Sequence, residues 1–497
     1  FNENGNLVTS VGDIIDVSAT NFPYNLEVDP VLYPISLEEV TRTKYDKLAG
    51  EVLATDFADY SSSNTRNRIT GVYYYETYTT SDDYITCDNA TFYDYDVHGN
   101  VKEMIQKNND THLKDLEQDL KKVGYEYDLV SGNVKHVTYQ QDQVDQFIHE
   151  YEYDADNRIT NVRTSRDEII WEQDAKYFYY DHGPLARTEI GDKKVQSQDY
   201  AYTIRGWLKG VNSEDLTANT DQGKDSKSGS INSMNGRDVF GYSLHYFDGD
   251  YTSRHLNNDF LAYSEGLTYA SPYAHDFDLF NGNIKEMYTA STLPDETYLG
   301  TSHTYYKYDQ LNRIASMGQQ DMQYTGSPVD QYASTYSYDS NGNLKTLTRN
   351  AWDGAAIVPI DNFTYHYNDV DPDESLHNNQ LNYVADGLGS AVMTVDLEDQ
   401  TPFNVLADAT YDYDSNYGYD EIGQLVQDRQ EEIQSIEWKV TGKVYKIIRK
   451  PGSTKGNLEF VYDAMGNRIM KIETNNAGDL LKKVYYFRDA QGNCMSI

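Results

Sequence analysis

Apolar and polar residues alternate along most of the chain, in short stretches separated by turn residues. One phrase recurs: Tyr-x-Tyr-Asp, two variable residues, Gly or Asn, usually Asn or Arg, then an apolar residue. Alternate positions of a β-strand face the same side, so both tyrosines share one face. Asp followed three residues later by Gly favours a type I turn, and Gly and Asn reach the left-handed region at least cost. The apolar residue restarts the alternation, so each phrase predicts one β-hairpin.

Seven well-formed copies of this phrase occur, each anchored by a tyrosine, the aspartate after it and the Gly or Asn of the turn. The anchors are Tyr95, Asp96 and Gly99; Tyr127, Asp128 and Gly132, with one inserted residue; Tyr153, Asp154 and Asn157; Tyr308, Asp309 and Asn312; Tyr338, Asp339 and Gly342; Tyr419, Asp420 and Gly423; Tyr462, Asp463 and Gly466. Degenerate copies begin at Phe1, Tyr180, Tyr202 and Tyr486. The repeats predict an all-β chain, a long antiparallel ribbon of hairpins that curls because sheet twist prevents so many strands from lying flat.

The repeats divide the chain into four stretches. A short helical insertion is also predicted over 110–123, where leucines share one helical face and Gly124 provides an end. The polar stretch 222–233 predicts a loop, and the Asp-Gly pair at 248–249 predicts a tight turn. The four stretches are leading strands over 1–90, a first repeat array over 91–210, an irregular β region over 211–300 and a second array over 301–497.

The recurring phrase resembles the YD repeat of the RHS family, shared by bacterial RHS proteins, the C component of Tc toxins and the teneurins. The stretches beginning at Tyr202 (YTIRGWLKGVN) and Phe240 (FGYSLHYFDGDY) are similar to RHS proteins of Bacteroidetes-type bacteria. The resemblance implies a ribbon that spirals into a hollow shell (a β-cocoon), incomplete at both ends in this chain. It also implies a closing segment rich in Asp-Pro-x-Gly, where the family cleaves itself. No such motif precedes Ile497, so we expect any self-cleavage residues to lie beyond it.

Composition favours a thin wall over a filled core. The chain has 47 Tyr but only 15 Phe, and its mean hydropathy is −0.74. A buried tyrosine hydroxyl needs a hydrogen-bond partner, so this choice predicts many half-wet aromatic faces. We therefore expect a single-layer wall, with an open, C-shaped or spiral outline, around a lumen. Since Phe1 is not an initiator methionine, we also expect an internal piece of a longer polypeptide.

Charge and hydropathy exclude two classes of partner. The formal net charge of −39 repels nucleic acid and anionic lipid. No run of 18 apolar residues is present, so we expect no membrane span.

Chemistry-bearing motifs are missing from the sequence. It contains no HExxH, GxSxG or Walker A pattern, and Cys87 and Cys494 lie too far apart for a metal or redox motif. We therefore expect no enzyme activity and no cofactor. The acidic stretch with Asp369, Asp371 and Asp373 is the one calcium candidate, and the alternative is a solvated hairpin tip.

Two functions remain, both at the cell surface or after secretion. The first is a structural scaffold, part of an exported RHS shell that encapsulates a C-terminal effector or toxin of the same polypeptide for delivery or interbacterial competition. Its partners would be that effector in the lumen and an export machinery or delivery partner. The alternative is a cell-surface protein that uses the shell exterior for adhesion or glycan binding, with tyrosine rings stacking on sugars.

Overall fold

The structure is a computed structural model. It describes residues 7–8, 14–15, 37–48, 52, 54–58, 60–78, 86–214, 216, 221–252, 278–293, 298–321, 330–369, 377–388, 399–402 and 408–497.

Twenty consecutive strands form one antiparallel sheet, in which each strand pairs with the next along the chain. They are β3 (Leu37–Tyr45), β4 (Ile69–Tyr78), β5 (Asn89–Tyr95), β6 (Val101–Asn108), β7 (Leu120–Tyr127), β8 (Val134–Tyr139), β9 (Phe147–Tyr153), β10 (Ile159–Ser165), β11 (Trp171–Tyr179), β12 (Leu185–Ile190), β13 (Gln196–Tyr202), β14 (Leu208–Val211), β15 (Phe240–His245), β16 (Glu286–Thr292), β17 (Tyr298–Tyr308), β18 (Ile314–Asp321), β19 (Ser334–Tyr338), β20 (Leu344–Trp352), β21 (Ile357–Asp369) and β22 (His377–Asp386). A separate pair, β1 (Leu7–Val8) and β2 (Ile14–Ile15), precedes them, and a 3₁₀ turn occupies Ala54–Asp56. The sheet runs on through β14, β15 and β16, within the stretch that we expected to be irregular.

A second, seven-stranded sheet follows. It consists of β23 (Tyr417–Tyr419), β24 (Leu425–Asp428), β25 (Ile433–Trp438), β26 (Val444–Arg449), β27 (Asn457–Tyr462), β28 (Arg468–Thr474) and β29 (Leu480–Tyr485), and a last hairpin is formed by β30 (Phe487–Arg488) and β31 (Cys494–Ser496). We call β3–β22 the first coil and β23–β31 the second coil.

The ribbon is a spiral of more than one turn. In strand order β22 is followed by β3, so the first coil closes on itself. The chain continues beyond the junction of β22 and β3 into the second coil. The first strand of that coil, β23, contacts β22, since its Tyr419 hydroxyl donates to the Leu381 carbonyl (2.9 Å). Of the outlines that we expected, the spiral is confirmed, and the position of β22 next to β3 in the sheet leaves no open C in the first coil.

The wall is one sheet thick over much of its length. Side chains of β11 alternate between half-buried and exposed, and those of β26 are all half-buried. Twenty strands spaced by about 4.8 Å give a ring roughly 30 Å across, about three times the separation of two packed sheets. The sheet therefore surrounds a lumen instead of folding onto itself.

Two apolar clusters thicken the wall at one place, around β4–β8. On one face Val52 and Phe57 pack against strand residues that include Tyr73 and Phe92. On the other face Phe487 of β30 packs against a cluster that includes Val123. The conventional core is therefore local, and the cluster around Phe487 lies where the second coil contacts the first.

The helix predicted over 110–123 is much shorter in the structure. It spans Thr111–Asp115, with Asp110 as its N-cap accepting from the His112 amide (3.0 Å). Residues from Leu120 onward form β7 and pair with β6. The prediction was wrong because Val123 and the tyrosines after it alternate with period two, and pairing with a formed strand outweighs an isolated apolar stripe. Gly124 lies inside this strand and ends nothing.

Candidate functional site: the repeat turns and the contact between coils

Each well-formed repeat closes its hairpin through the aspartate. At Asp339 the backbone N–H donates to the Asn343 carbonyl (2.9 Å), and the Gly342 N–H donates back to the Asp339 carbonyl (3.2 Å). One carboxylate oxygen of Asp339 accepts from the Asn343 N–H, and the other accepts from its side-chain amide, both at 2.8 Å. The same four bonds recur at Asp96 and Asp463. The carboxylate therefore satisfies turn donors that would otherwise point into solvent.

The Gly or Asn of each turn lies in the left-handed region; it is the third residue after the aspartate except at Gly132, which is the fourth. The seven φ angles are 102° at Gly99, 76° at Gly132, 63° at Asn157, 63° at Asn312, 95° at Gly342, 89° at Gly423 and 79° at Gly466. Only Gly and Asn occupy these positions in the well-formed copies, as the cost of a side chain at positive φ requires.

Two repeats carry Arg at the fourth position, where most carry Asn, and this Arg joins neighbouring hairpins. The Arg313 Nε donates to Asp309 (2.7 Å), and its Nη1 donates to the carbonyl of Asp339 in the next turn (3.2 Å). The same guanidinium lies over the Tyr338 ring, 4.4 Å from its centre, a cation–π geometry. Arg158 makes similar contacts in its own repeat, where its Nε donates to Asp154, its Nη1 donates to the Gly183 carbonyl and its guanidinium lies over the Tyr179 ring. Its backbone N–H is the main cause that lowers the pKa of Asp154.

The tyrosine before each aspartate fastens its hairpin to the preceding one. Its hydroxyl donates to the backbone carbonyl of the apolar residue that follows the previous turn, and we call this contact the tyrosine latch. The described residues contain ten latches, and in three of them (Tyr179, Tyr246 and Tyr367) a residue other than Asp follows the tyrosine. They are Tyr95 to Ile69 (2.7 Å), Tyr127 to Val101 (2.8 Å), Tyr153 to Val134 (2.8 Å), Tyr179 to Ile159 (2.7 Å), Tyr246 to Leu208 (2.8 Å), Tyr308 to Ile284 (2.9 Å), Tyr338 to Ile314 (2.8 Å), Tyr367 to Leu344 (2.9 Å), Tyr419 to Leu381 (2.9 Å) and Tyr462 to Val444 (2.7 Å).

The latch explains why the chain uses tyrosine where phenylalanine would bury as well. Most latch rings are half-buried, and each hydroxyl has its partner. Burial raises the pKa of Tyr308 and of Tyr419 to about 12, so these phenols stay protonated and remain donors at neutral pH. The strand register also shifts by one residue at the latch tyrosine, for example between Ser337 and Tyr338, which makes a β-bulge.

Sequence reasoning missed the latch, the bulge and the role of Arg. The acceptor is a backbone carbonyl some twenty residues upstream, which has no sequence signature of its own. The separation between the apolar restart and the next latch tyrosine varies from 18 to 38 residues, so spacing alone could not have found the latch. The available signal was the recurrence of a tyrosine just before each turn and of an apolar residue just after the turn before it.

The two coils meet through turns of the second coil and the opposite edge of the first. Consecutive hairpins place all aspartate turns on one edge of the ribbon and the variable connections on the other. Lys439, which takes the aspartate position of its turn, reaches Glu76 near the end of β4 (2.7 Å). The Asn89 side-chain amide donates to the Tyr462 carbonyl (3.1 Å), and Lys483 contacts Asp110 (2.8 Å).

Lys439 is the most enclosed of these contacts. Its side chain is only 3% exposed, and its ammonium also donates to the Tyr74 hydroxyl (3.2 Å) and lies near Glu39. Burial, followed by the charge of Glu76, raises the pKa of Tyr74 well above its usual range. The Lys439 ammonium, which lies between Glu39 and Glu76, therefore connects the second coil to Glu76, 363 positions earlier in the sequence.

An acidic cluster that sequence reasoning also missed lies in the insert between β14 and β15. Asp221, Asp225 and Asp238 are buried, and one carboxylate oxygen from each lies within 4.8 Å of the others. Burial, then the charges of Asp221 and Asp225, raises the pKa of Asp238. The Asp221-x-x-x-Asp225 spacing within the polar loop was the available signal, and we had interpreted that stretch by composition alone.

The predicted calcium candidate falls largely outside the described residues. Asp371 and Asp373 are not among them, and Asp369 is described only as the last residue of β21, opposite His377.

A pocket of about 500 Å³ lies over β6–β9. Its wall includes His136, held between Glu126 (2.8 Å) and Glu150 (3.3 Å).

The fold and its latched turns define a YD-repeat β-sheet spiral. Within the described part of the chain, no helix is long and apolar enough to cross a membrane. No protein-family model and no curated protein matches the chain.

Its structural neighbours are Tc toxin complexes. The crystal structure of TcdB2-TccC3 matches with a TM-score of 0.49 and 14% identity, over 90% of this chain and 18% of that one. TcdB2-TccC3 without its hypervariable C-terminal region gives 0.46 and 13%, over 88% and 18%. TcdB2-TccC3-Cdc42 gives 0.46 and 12%, over 92% and 20%. The chain thus spans about a fifth of the length of these chains.

Proposed function

We propose that this chain is a wall segment of an exported RHS-type shell whose lumen encloses a C-terminal effector of the same polypeptide. The observation that carries the proposal is the single-layer spiral, in which a ribbon ring about 30 Å across surrounds a lumen too wide to be filled by the wall's own side chains. A wall built this way has room for a polypeptide and needs no conventional core. The YD repeat supports the same assignment by its resemblance to the RHS family.

The wall's construction fits containment. Each latch joins one hairpin to the one before it, so the ribbon resists local opening wherever a latch is present. The coils, in contrast, meet at separate places, through ion pairs such as Lys439 with Glu76 and through the apolar cluster around Phe487. We propose that the seam between coils is where the shell yields when cargo must leave.

Limited proteolysis of the full-length polypeptide that contains this chain would test containment. We expect the effector portion to resist protease while the wall is intact and to be cleaved faster in Lys439→Met, which leaves Glu76 without its cation at the seam. Removing one partner of an enclosed ion pair costs on the order of 1–3 kcal/mol here, since Glu76 keeps some water. Lys443→Met, an exposed lysine of the same turn, is the matched control. An effector cleaved at the same rate with and without an intact wall would contradict the proposal.

We further propose that residues 1–497 carry no catalytic activity of their own. The aspartates of the repeats are committed to their turns, where backbone and side-chain donors hold them. Purified chain would be assayed on peptide, ester, nucleic-acid and polysaccharide substrates. Turnover that a single point substitution abolishes would refute this part.

A further inference from the structure

A second kind of site lies in the insert that joins β14 to β15. The insert folds over β12 and β13, and its three aspartates, Asp221, Asp225 and Asp238, converge on one point. They are 3%, 1% and 1% exposed, and one oxygen from each lies within 4.8 Å of the other two. Oxygen ligands around Ca²⁺ lie about 2.3–2.6 Å from the ion, so ligands of one ion can be up to about 5 Å apart. One cation could therefore contact all three carboxylates.

Backbone donors of the insert satisfy Asp221, whose two oxygens accept from the Gly223 and Asp225 N–H groups, but the other two carboxylates are only partly satisfied. One oxygen of Asp225 accepts from Arg187 (2.6 Å), and one oxygen of Asp238 accepts from Gln196 (3.0 Å). The second oxygen of each is buried and has no hydrogen-bond donor among the described residues. A buried carboxylate oxygen without a donor is costly, and two of them beside a third aspartate are more so.

The nearest cation in the interior is already occupied. Arg187 also binds Asp199 and lies 3.3 Å from Glu189, so its guanidinium serves three carboxylates. Lys194 lies at the rim and pairs with Glu189 (3.0 Å). In the ion pairs of the described residues, Arg187 and Lys194 serve Glu189, Asp199 and Asp225, and neither pairs with Asp221 or Asp238. Negative charge is therefore concentrated at the three converging aspartates.

We propose that Asp221, Asp225 and Asp238 bind one hard divalent cation, of the Ca²⁺ or Mg²⁺ class, through carboxylate oxygens. The ion would supply the positive charge that the orphan oxygens of Asp225 and Asp238 lack. It would also clamp the insert to β12 and β13, through Arg187 and Gln196, at a place where the ribbon has no tyrosine latch from a full repeat. The proposal is independent of containment, because it concerns the stability of the wall and not its contents.

Calorimetry on the chain, after dialysis against a chelator, tests the site with CaCl₂ and, in parallel, MgCl₂. We expect saturable binding of one ion per chain and a Tm that rises by several degrees with ion concentration until the site is filled. Asp238→Asn keeps the shape and the Gln196 contact but removes one charge. The metal-free variant should therefore be at least as stable as the parent, while the increase in Tm on adding the ion is lost.

Asp156→Asn is the matched control, because it removes a charge from a side chain that is 75% exposed in a turn far from the insert in sequence. It should keep the full increase in Tm on adding the ion.

Terbium luminescence provides a readout that needs no variant. Gln222 of the insert donates to the Tyr180 hydroxyl (3.1 Å), so tyrosine excitation should sensitise bound Tb³⁺, and added Ca²⁺ should quench the signal. Absence of saturable binding of both ions, or an unchanged response in Asp238→Asn, would overturn the site in favour of a shared proton.

Discussion

Removing one latch hydroxyl tests whether the tyrosines hold hairpins together or merely cover them. Tyr338→Phe deletes the donor to the Ile314 carbonyl and leaves the ring in place. A neutral hydrogen bond contributes about 0.5–1.5 kcal/mol, and water can reach this partly exposed carbonyl, so we expect a loss of about 1 kcal/mol. That corresponds to roughly a fivefold increase in the opening constant of the preceding turn.

Hydrogen exchange of a peptide spanning residues 309–316 is the appropriate assay, because in a chain of this size about 1 kcal/mol moves the global Tm only slightly. The control is Tyr336→Phe, two positions earlier on the same strand face and also half-buried, which is not a latch. The triple variant at Tyr308, Tyr338 and Tyr367 should lose roughly 3 kcal/mol if the three latches act independently. Equal exchange in Tyr338→Phe and Tyr336→Phe would refute the latch as a stabilising contact.

Two further predictions concern the turns and the phenols. Gly342→Val should lower the free energy of unfolding by on the order of 1–3 kcal/mol because φ is 95° there, whereas Gly342→Asn should have a much smaller effect. An added Cβ would contact only an Arg313 nitrogen, 3.9 Å away, so backbone strain and not a steric clash is the expected cause. Equal shifts of the two variants in thermal unfolding would contradict this prediction. The pKa of Tyr308 and Tyr419 is raised to about 12, so their stabilisation is complete below the unfolded value of about 10 and is lost as pH rises from there through about 12. Tyrosinate absorption and circular dichroism followed together should therefore show titration of the latch tyrosines coinciding with unfolding, and tyrosinate that forms with the fold intact would count against this.

The sequence was sufficient to predict features encoded within one hairpin. The alternation of tyrosines, the aspartate and the Gly or Asn three residues later are local, and the structure has positive φ at each such position, Asn157 and Gly342 among them. The spiral followed from the number of hairpins and from sheet twist. The failed helix over 110–123 shows the limit of the same local reasoning, because a stripe of leucines was given more weight than the strand pairing available to Val123.

Features that join distant parts of the chain were out of reach. The latch acceptor is a backbone carbonyl, and any residue could supply it. Lys439 occupies a position where the phrase would place aspartate, so its sequence context indicates only a degenerate turn, while its partner Glu76 lies 363 residues earlier. The converging aspartates of the insert depend on how a loop of low periodicity folds back over β12 and β13. Such a fold-back is specified by tertiary contacts such as that of Asp225 with Arg187.

The two classes of contact divide the mechanical roles of the wall. Latches and ladder hydrogen bonds connect each hairpin to its nearest neighbour, so their contribution grows with every repeat, as in other repeat proteins. Seam contacts such as Lys439 with Glu76 join residues hundreds of positions apart, and forming them requires the whole first coil to be in place. They therefore depend on the geometry of the entire ribbon. The container function that we propose predicts that the wall opens by separation of its coils, at these ion pairs and at the Phe487 cluster, while each hairpin stays folded.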